Sequence, residues 1–166
     1  MTVSIRRLGV EDGGALTLFF RAIETDDEAT AFFHPHAFDA QTARTISESQ
    51  NTARDAYFAA FDGGRILGYA MLRGWDEGYE VPSFGIYVSP EARGRGLGGQ
   101  LLDHAIEYAH AQGALSVMLK VYGTNEVARH LYEARGFQFR ERTPDCHQLV
   151  GRLDLMRSKP GPEGDV

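Results

Sequence analysis

A glycine-rich loop with two arginines is the stretch whose residue types most clearly suggest chemistry. The segment RGRGLGG, residues 93–99, follows a short apolar run and precedes a long amphipathic stretch. Glycines have no Cβ to block a ligand, and the first N–H groups of a helix have no partner within it, so such a junction suits a phosphate or pyrophosphate. The alternative is that the glycines only permit a tight turn while the arginines point to solvent.

Two common nucleotide-binding motifs do not explain this loop. Gly94, Gly96 and Gly99 fit the pattern G-x-G-x-x-G, but no Asp or Glu occurs between residues 107 and 126, where a dinucleotide-binding fold needs an acid for the ribose. A nucleotide P-loop needs Lys and then Ser or Thr after its last glycine, and Gln and Leu stand there instead. The loop therefore requires another ligand that carries phosphate.

The hydrophobic period changes from two to 3.6 across the loop. Apolar residues alternate over residues 84–88 and recur at helical spacing from Leu97 to Ala109, which predicts strand, loop and helix in that order. Residues 115–121 form a near-continuous apolar run, which predicts a strand buried on both faces. Asn125 or Thr124 is expected to cap the helix that follows, with Val127 on its buried side.

The two halves of this region together resemble the GNAT superfamily of N-acetyltransferases. VSPEARGRGLGGQLL is similar to the acyl-CoA signature of that family, with Arg93, Gly96 and Gly98 at its core positions. LKVYGTNEVARHLYEARGFQ resembles the second family motif, with Asn125 and Tyr132 at its matching positions. The resemblance covers residues 84–139, a third of the chain.

The resemblance implies an α/β fold with a mixed, mostly antiparallel central sheet flanked by helices. Two parallel central strands, residues 84–88 and 115–121, would splay apart. With 166 residues and 43% hydrophobic composition, we expect one domain over residues 1–156. Residues 157–166 are polar and rich in Pro and Gly, and we expect them to be disordered.

The same resemblance implies acetyl-CoA as the acyl donor and direct transfer to an amine. The pantetheine arm would lie between the splayed strands, where the N–H of Val88 would polarise the thioester carbonyl. Tyr132 would protonate the departing sulfur, since a phenol is neutral at pH 7; the alternative is that Tyr132 only borders the core. The expected cofactor-binding residues are Ile86, Val88, Arg93, Gly94, Arg95, Gly96, Leu97, Gly98, Gly99 and Asn125.

The proton acceptor is less clearly indicated. Some family members place a Glu on the strand before the loop, but this strand lacks one. Glu80, in the approach to the strand, is our first candidate for a catalytic base acting through water, and His34, His36 and Asp39 are the alternatives. A loop glutamate can also be merely solvated.

Aromatic and imidazole side chains are concentrated between residues 32 and 38. Phe33, His34 and His36 are our candidates for acceptor binding, because rings beside imidazoles suit an amino sugar or another hydroxylated small amine. The alternative is that the rings anchor the segment to the core, with the acceptor near residues 75–80. The acidic residues 26–28 could attract a cationic amine, although charge runs usually face solvent.

Composition limits the remaining possibilities. A net charge of −6 and a pI near 5.5 argue against nucleic acid as a partner, and no apolar run is long enough to span a membrane. We expect a cytoplasmic protein without a metal, since Cys146 is the single cysteine and the N-terminus does not resemble a secretory signal. A homodimer is left open. The alternative functions are acetylation of protein N-termini or lysines and a non-catalytic CoA-binding regulatory module.

Overall fold

The computed structural model describes residues 2–155, and the C-terminal segment expected to be disordered lies outside them. Short 3-10 turns occur at Val10–Asp12 and Pro90–Ala92. The strands are β1 (Val3–Arg7), β2 (Ala56–Asp62), β3 (Arg65–Arg73), β4 (Ser83–Val88), β5 (Ser116–Tyr122), β6 (Gln138–Arg142) and β7 (Gln148–Asp154), and the helices are α1 (Gly13–Glu24), α2 (Asp27–Phe32), α3 (Ala40–Ser49), α4 (Leu97–Ala111) and α5 (Glu126–Ala134).

The strands form one sheet in the order β1-β2-β3-β4-β5-β7-β6. Every neighbouring pair is antiparallel except β4 and β5, which are parallel, so the predicted mixed and mostly antiparallel architecture is confirmed. The parallel pair is in register only at Ser83 with Met118 and at Phe84 with Leu119. Beyond these positions β4 and β5 diverge. We call the point of divergence the fork.

Helices cover both faces of the sheet and create two cores. On one face, Leu101, Leu102 and Ala105 of α4 are buried with residues of the central strands. On the other face, Phe20 of α1 is buried and packs edge-to-face on Tyr69 of β3, with ring centroids 5.5 Å apart. The central strands β3 and β4 are therefore packed on both faces of the sheet.

Local sequence signals set the ends of several helices. Asn125 accepts a hydrogen bond from the backbone N–H of Ala128 at 3.3 Å, which confirms it as a helix cap. Asp39 caps α3 in the same way, accepting from the N–H of Thr42 at 2.7 Å. Gly136 follows α5 with φ of 93°, a conformation that glycine adopts without strain. No helix within residues 2–155 is both long and apolar enough to cross a bilayer.

Two expectations about the elements are wrong. β5 is not buried on both faces: Leu119 and its alternate neighbours are buried, while Lys120 on the other face is exposed. In α5, Val127 is 85% exposed and Tyr132 is the buried residue, because the helix turns its Val127 side toward a cavity. The acidic run at residues 26–28 begins the short helix α2, with the Asp26 side chain accepting from the N–H of Glu28 while Asp27 and Glu28 are exposed, as expected of a charge run.

Candidate active site

A cavity of about 720 Å³ lies beside the fork. We call it the first cavity. Its walls are β4, the glycine loop with the start of α4, one side of α5 and part of α2. Ile86 and Val88 border it from β4, and Asn125 borders it from the start of α5. Since β5 has diverged at this level, the edge of β4 beyond Phe84 faces the cavity and not a paired strand.

The glycine loop presents backbone groups to the first cavity. Gly94 and Gly96 have φ values of 78° and 77°, a left-handed conformation in which any other residue would be strained. The N–H of Gln100 makes the first α-helical bond, to the carbonyl of Gly96, so the N–H groups of residues 97–99 lack helical partners. A Cβ on Gly98 would lie only 3.6 Å from Leu131, so glycine allows a ligand to approach the backbone closely there.

Six of the seven loop residues predicted to bind the cofactor line this cavity; Arg95 instead lines a smaller pocket near Val3. The Arg93 guanidinium donates one hydrogen bond to the carboxylate of Asp26 and another to that of Glu28, each at 2.7 Å. Its Nε donates to the carbonyl of Val88 at 3.0 Å. Its charge is therefore compensated within the protein, and its side chain fastens α2 to the end of β4.

Asp26 completes this anchor by accepting a third hydrogen bond, from the Tyr87 hydroxyl at 2.6 Å, besides those from Arg93 and from the N–H of Glu28. Burial alone would raise the pKa of Asp26, but the hydrogen bonds from Tyr87 and Arg93 outweigh it and lower that pKa. The carboxylate is thus held in its charged form at the N-terminus of α2.

Tyr132 lies in the wall of the first cavity and is only 5% exposed. Its ring packs edge-to-face on Phe84, with centroids 6.2 Å apart, and against Phe137 at 5.9 Å. Burial raises the pKa of Tyr132 well above its ordinary value. The phenol therefore keeps its proton at neutral pH, as a proton donor must, and Phe84 fixes its ring beside the fork.

A second cavity of about 680 Å³ lies below the fork. Phe32, Phe33, Phe84, Gly85 and Lys120 line both cavities, so the two spaces meet where β4 and β5 separate. The remaining walls of the second cavity come from α2, the end of β3, the loop before β4 and one face of β5. Its polar side chains are His34, Arg73, Glu77, Tyr79, Ser83, Lys120, Tyr122 and Gln148.

The predicted acceptor-binding residues separate in the structure. Phe33 lines both cavities and His34 lines the second. His36 lines neither: its Nδ1 lies 2.6 Å from the carbonyl of Ala37 and its Nε2 lies 2.8 Å from the Tyr69 hydroxyl. Burial lowers the pKa of His36. Because a carbonyl can only accept, Nδ1 of the neutral ring carries the proton and Nε2 accepts from Tyr69. His36 is therefore a packing residue, as the sequence-based alternative allowed for its aromatic neighbours.

The candidate bases also differ in position. Glu80 is exposed and lines neither cavity, and Asp39 is occupied as the cap of α3. Glu77, three residues before Glu80, lines the second cavity. The sequence did not single out Glu77 or Lys120, although a lysine within an apolar strand run was a usable signal. In the described part of the chain, no group of three or more His, Cys, Asp or Glu side chains could hold a metal ion.

Comparison with known proteins is consistent with this geometry. The model of the Acetyltransferase (GNAT) family matches residues 20–137, which include the glycine loop, the fork and Tyr132. The chain belongs to the GNAT family. It is an acetyl-transferring enzyme, and the sequence-based assignment is confirmed.

The names of two relatives of this GNAT enzyme specify an amino acid or an amino acid analogue as the substrate. It is 32% identical over 163 residues to the L-methionine sulfoximine/L-methionine sulfone acetyltransferase of Pseudomonas aeruginosa, covering 93% of this chain and 92% of the relative. It is 26% identical to the L-amino acid N-acyltransferase MnaT of Escherichia coli, covering 75% of each.

Solved GNAT structures share the fold. YncA from Salmonella typhimurium, solved with its cofactor acetyl-CoA, superposes with a TM-score of 0.76 and 20% identity over 99% of this chain and all of that one. The PaiA N-acetyltransferase of Thermoplasma acidophilum in complex with coenzyme A gives a TM-score of 0.74 and 20% identity, covering 93% and 99%.

Proposed function

We propose that this GNAT enzyme transfers an acetyl group from acetyl-CoA to the primary amine of a small molecule, and that the acceptor is an amino acid or a close analogue. The observation that carries the proposal is the meeting of two cavities at the fork, with Tyr132 beside the junction. One cavity has the backbone donors that a cofactor with phosphates needs, and the other has the aromatic and charged side chains that an amine substrate needs.

The first cavity fits acetyl-CoA, which supplies a thioester carbonyl and a thiol leaving group when bound. The N–H groups of residues 97–99 would hold its pyrophosphate at the start of α4. Ile86 and Val88 would hydrogen-bond the pantetheine arm along the unpaired edge of β4, and the Val88 N–H would polarise the carbonyl. Asn125, which also caps α5, would contact the arm from the opposite wall.

The amine would enter from the second cavity and reach the carbonyl at the fork. A new C–N bond forms as the C–S bond breaks, the amine loses a proton, and Tyr132 gives its proton to the sulfur. We predicted Glu80 as the proton acceptor through water. Glu77 competes for that role, because it is the carboxylate that the structure places in the second cavity among residues 2–155.

The acceptor class is supported by the shape of the second cavity and by the relatives' names. Phe32, Phe33 and Tyr79 enclose a space of about 680 Å³ that suits a small molecule better than a flat protein surface. The relatives act on amino acids and their analogues, so we prefer that class to the amino sugar expected from the sequence. A cytoplasmic location stays a prediction, and a homodimer stays open.

A thiol-release assay with the purified chain tests this function. The panel contains methionine sulfone, proteinogenic amino acids, glucosamine and an N-terminal peptide, with mass spectrometry of the products. We expect acetyl-CoA-dependent release with free amino acids and addition of one acetyl group to the product. Preferential acetylation of the peptide would reassign the acceptor class, and binding of CoA without turnover of any amine would support the non-catalytic alternative.

A further inference from the structure

We propose that Lys120 selects acceptors that carry a carboxylate on the carbon bearing the amine. This inference rests on the proposed function and assigns its substrate selectivity to one residue. No carboxylate-binding residue was predicted from the sequence; the position of Lys120 in the fold is what indicates this role.

Lys120 stands at the fork itself. It directly follows Leu119, which pairs with Phe84 and is the last residue of β5 in register with β4. Strand alternation points Lys120 away from the buried side of β5, and it lines both the first and the second cavity. Met118 and Tyr122, two positions away on either side, line the second cavity on the same face. The Lys120 side chain therefore lies at the junction of the two cavities, through which an acceptor amine would pass.

The charge of Lys120 is not compensated by the protein. Within residues 2–155 no carboxylate lies within ion-pair distance of it. Arg73, the other strong cation lining the second cavity, already donates a hydrogen bond to the carbonyl of Pro35 and so helps to hold the 34–36 segment in place. A hydrogen bond to a carbonyl does not neutralise Arg73, and Arg73 also has no carboxylate partner within residues 2–155. Of these two cations, however, only Lys120 lines both cavities. Lys120 therefore brings an uncompensated positive charge to the junction, which an anionic group of a ligand would neutralise.

An α-amino acid places such a group correctly. Its carboxylate is attached to the carbon that carries the amine, so when the amine lies at the thioester carbonyl the carboxylate must lie at the fork as well. Lysine is a compact charge on a flexible stem and can follow the carboxylate of differently shaped amino acids. An amine without an adjacent carboxylate would leave the lysine unpaired and gain nothing from it. Lys120 should therefore raise kcat/KM for amino acids specifically.

The test compares an amino acid with its carboxamide. Values of kcat/KM are measured for methionine sulfone and methionine sulfone amide with the wild type, Lys120→Met, Lys120→Arg and Arg140→Gln. Arg140 is an exposed cation that lines neither cavity and serves as the matched control. The ratio of acid to amide is compared between variants, which cancels the intrinsic difference in reactivity of the two amines.

We expect Lys120→Met to lower kcat/KM for the acid by about tenfold or more while changing that for the amide by less than about twofold. Lys120→Arg should retain most of the preference, and Arg140→Gln all of it. If Lys120→Met leaves the acid-to-amide ratio of kcat/KM at the wild-type value, the proposal is overturned. An equal loss for both substrates would be such a result, and it would indicate that Lys120 stabilises the developing negative oxygen instead. If the wild type acetylates only amines that lack a carboxylate, the Lys120 proposal fails while the acetyltransferase function stands. If it acetylates no amine, the proposed function itself fails.

Discussion

The two cavities are built from different parts of the chain in different ways. The first presents mainly backbone, from the glycine loop and the open edge of β4, and its residues come largely from one stretch between β4 and α5. The second presents side chains from α2, the end of β3, the loop before β4 and β5, which are far apart in sequence. They meet only at the fork. A common cofactor can be held by a fixed backbone, while the acceptor can change with side chains.

The largest expected effect concerns Tyr132, which lines the first cavity and is expected to act in the acetyl-transfer step and not in cofactor binding. Tyr132→Phe removes the proton donor to the sulfur and should lower kcat by about 10²- to 10⁴-fold, with the dissociation constant for CoA nearly unchanged. Steady-state kinetics and calorimetry measure the two quantities. Tyr57→Phe, at a half-buried tyrosine outside both cavities, should leave both unchanged. Wild-type kcat in Tyr132→Phe, with chemistry rate-limiting, would reduce Tyr132 to a packing residue.

A pair of glutamates in one loop sharpens the comparison on the acceptor side. If Glu77 accepts the amine proton in the second cavity, Glu77→Gln should lower kcat, measured by steady-state kinetics, by about 10²-fold. Glu80→Gln should then behave as the wild type, because Glu80 is exposed outside the cavity. The reverse pattern would restore our sequence-based choice of Glu80.

The glycine loop offers a smaller but selective change. Gly98→Ala adds a methyl group at ordinary contact distance from Leu131 and Ile86, so the fold should accept it while the cavity loses space. The dissociation constant for CoA should rise about tenfold or more by overpacking against the ligand. Gly14→Ala, also at the second position of a helix but with open space around it, is the matched control. Gly96 is a poorer site for this test, because its φ of 77° strains any side chain. If Gly98→Ala and Gly14→Ala bind CoA with equal dissociation constants, the cofactor does not bind at the glycine loop.

The smallest expected effect concerns Asp26, whose contacts with Arg93 and Tyr87 anchor α2, a helix that borders both cavities. Asp26 is paired with Arg93, and its lowered pKa means that its stabilising contribution is present above about pH 4 and is lost as the pH falls through the folded-state value. Asp26→Asn should cost about 1–2 kcal/mol in the free energy of unfolding at pH 7, and the difference from the wild type should shrink below about pH 4. Urea unfolding at several pH values measures this. A difference that does not depend on pH would show that the charge of Asp26 is not what anchors α2.

The sequence predicted the first cavity better than the second, for a physical reason. Glycines at the start of a helix and Asn125 as a cap are local signals, because their roles depend on backbone conformation that nearby residues determine. The acceptor side depends on tertiary packing. The hydrogen bond with Tyr69 holds the half-buried His36 away from both cavities, and the divergence of β4 and β5 leaves Lys120 beside both. Val127 was misplaced because a cavity, not the core, faces its side of α5.

The most direct test of the account is a crystal structure with a bisubstrate analogue in which the CoA sulfur is joined through an acetyl linker to the amine of methionine sulfone. We expect the pyrophosphate at the N–H groups of residues 97–99, the sulfur within hydrogen-bonding distance of the Tyr132 hydroxyl, and the amino acid portion in the second cavity with its carboxylate at Lys120. A conjugate bound with its pantetheine arm outside the fork, or with the amino acid portion away from the second cavity, would contradict it.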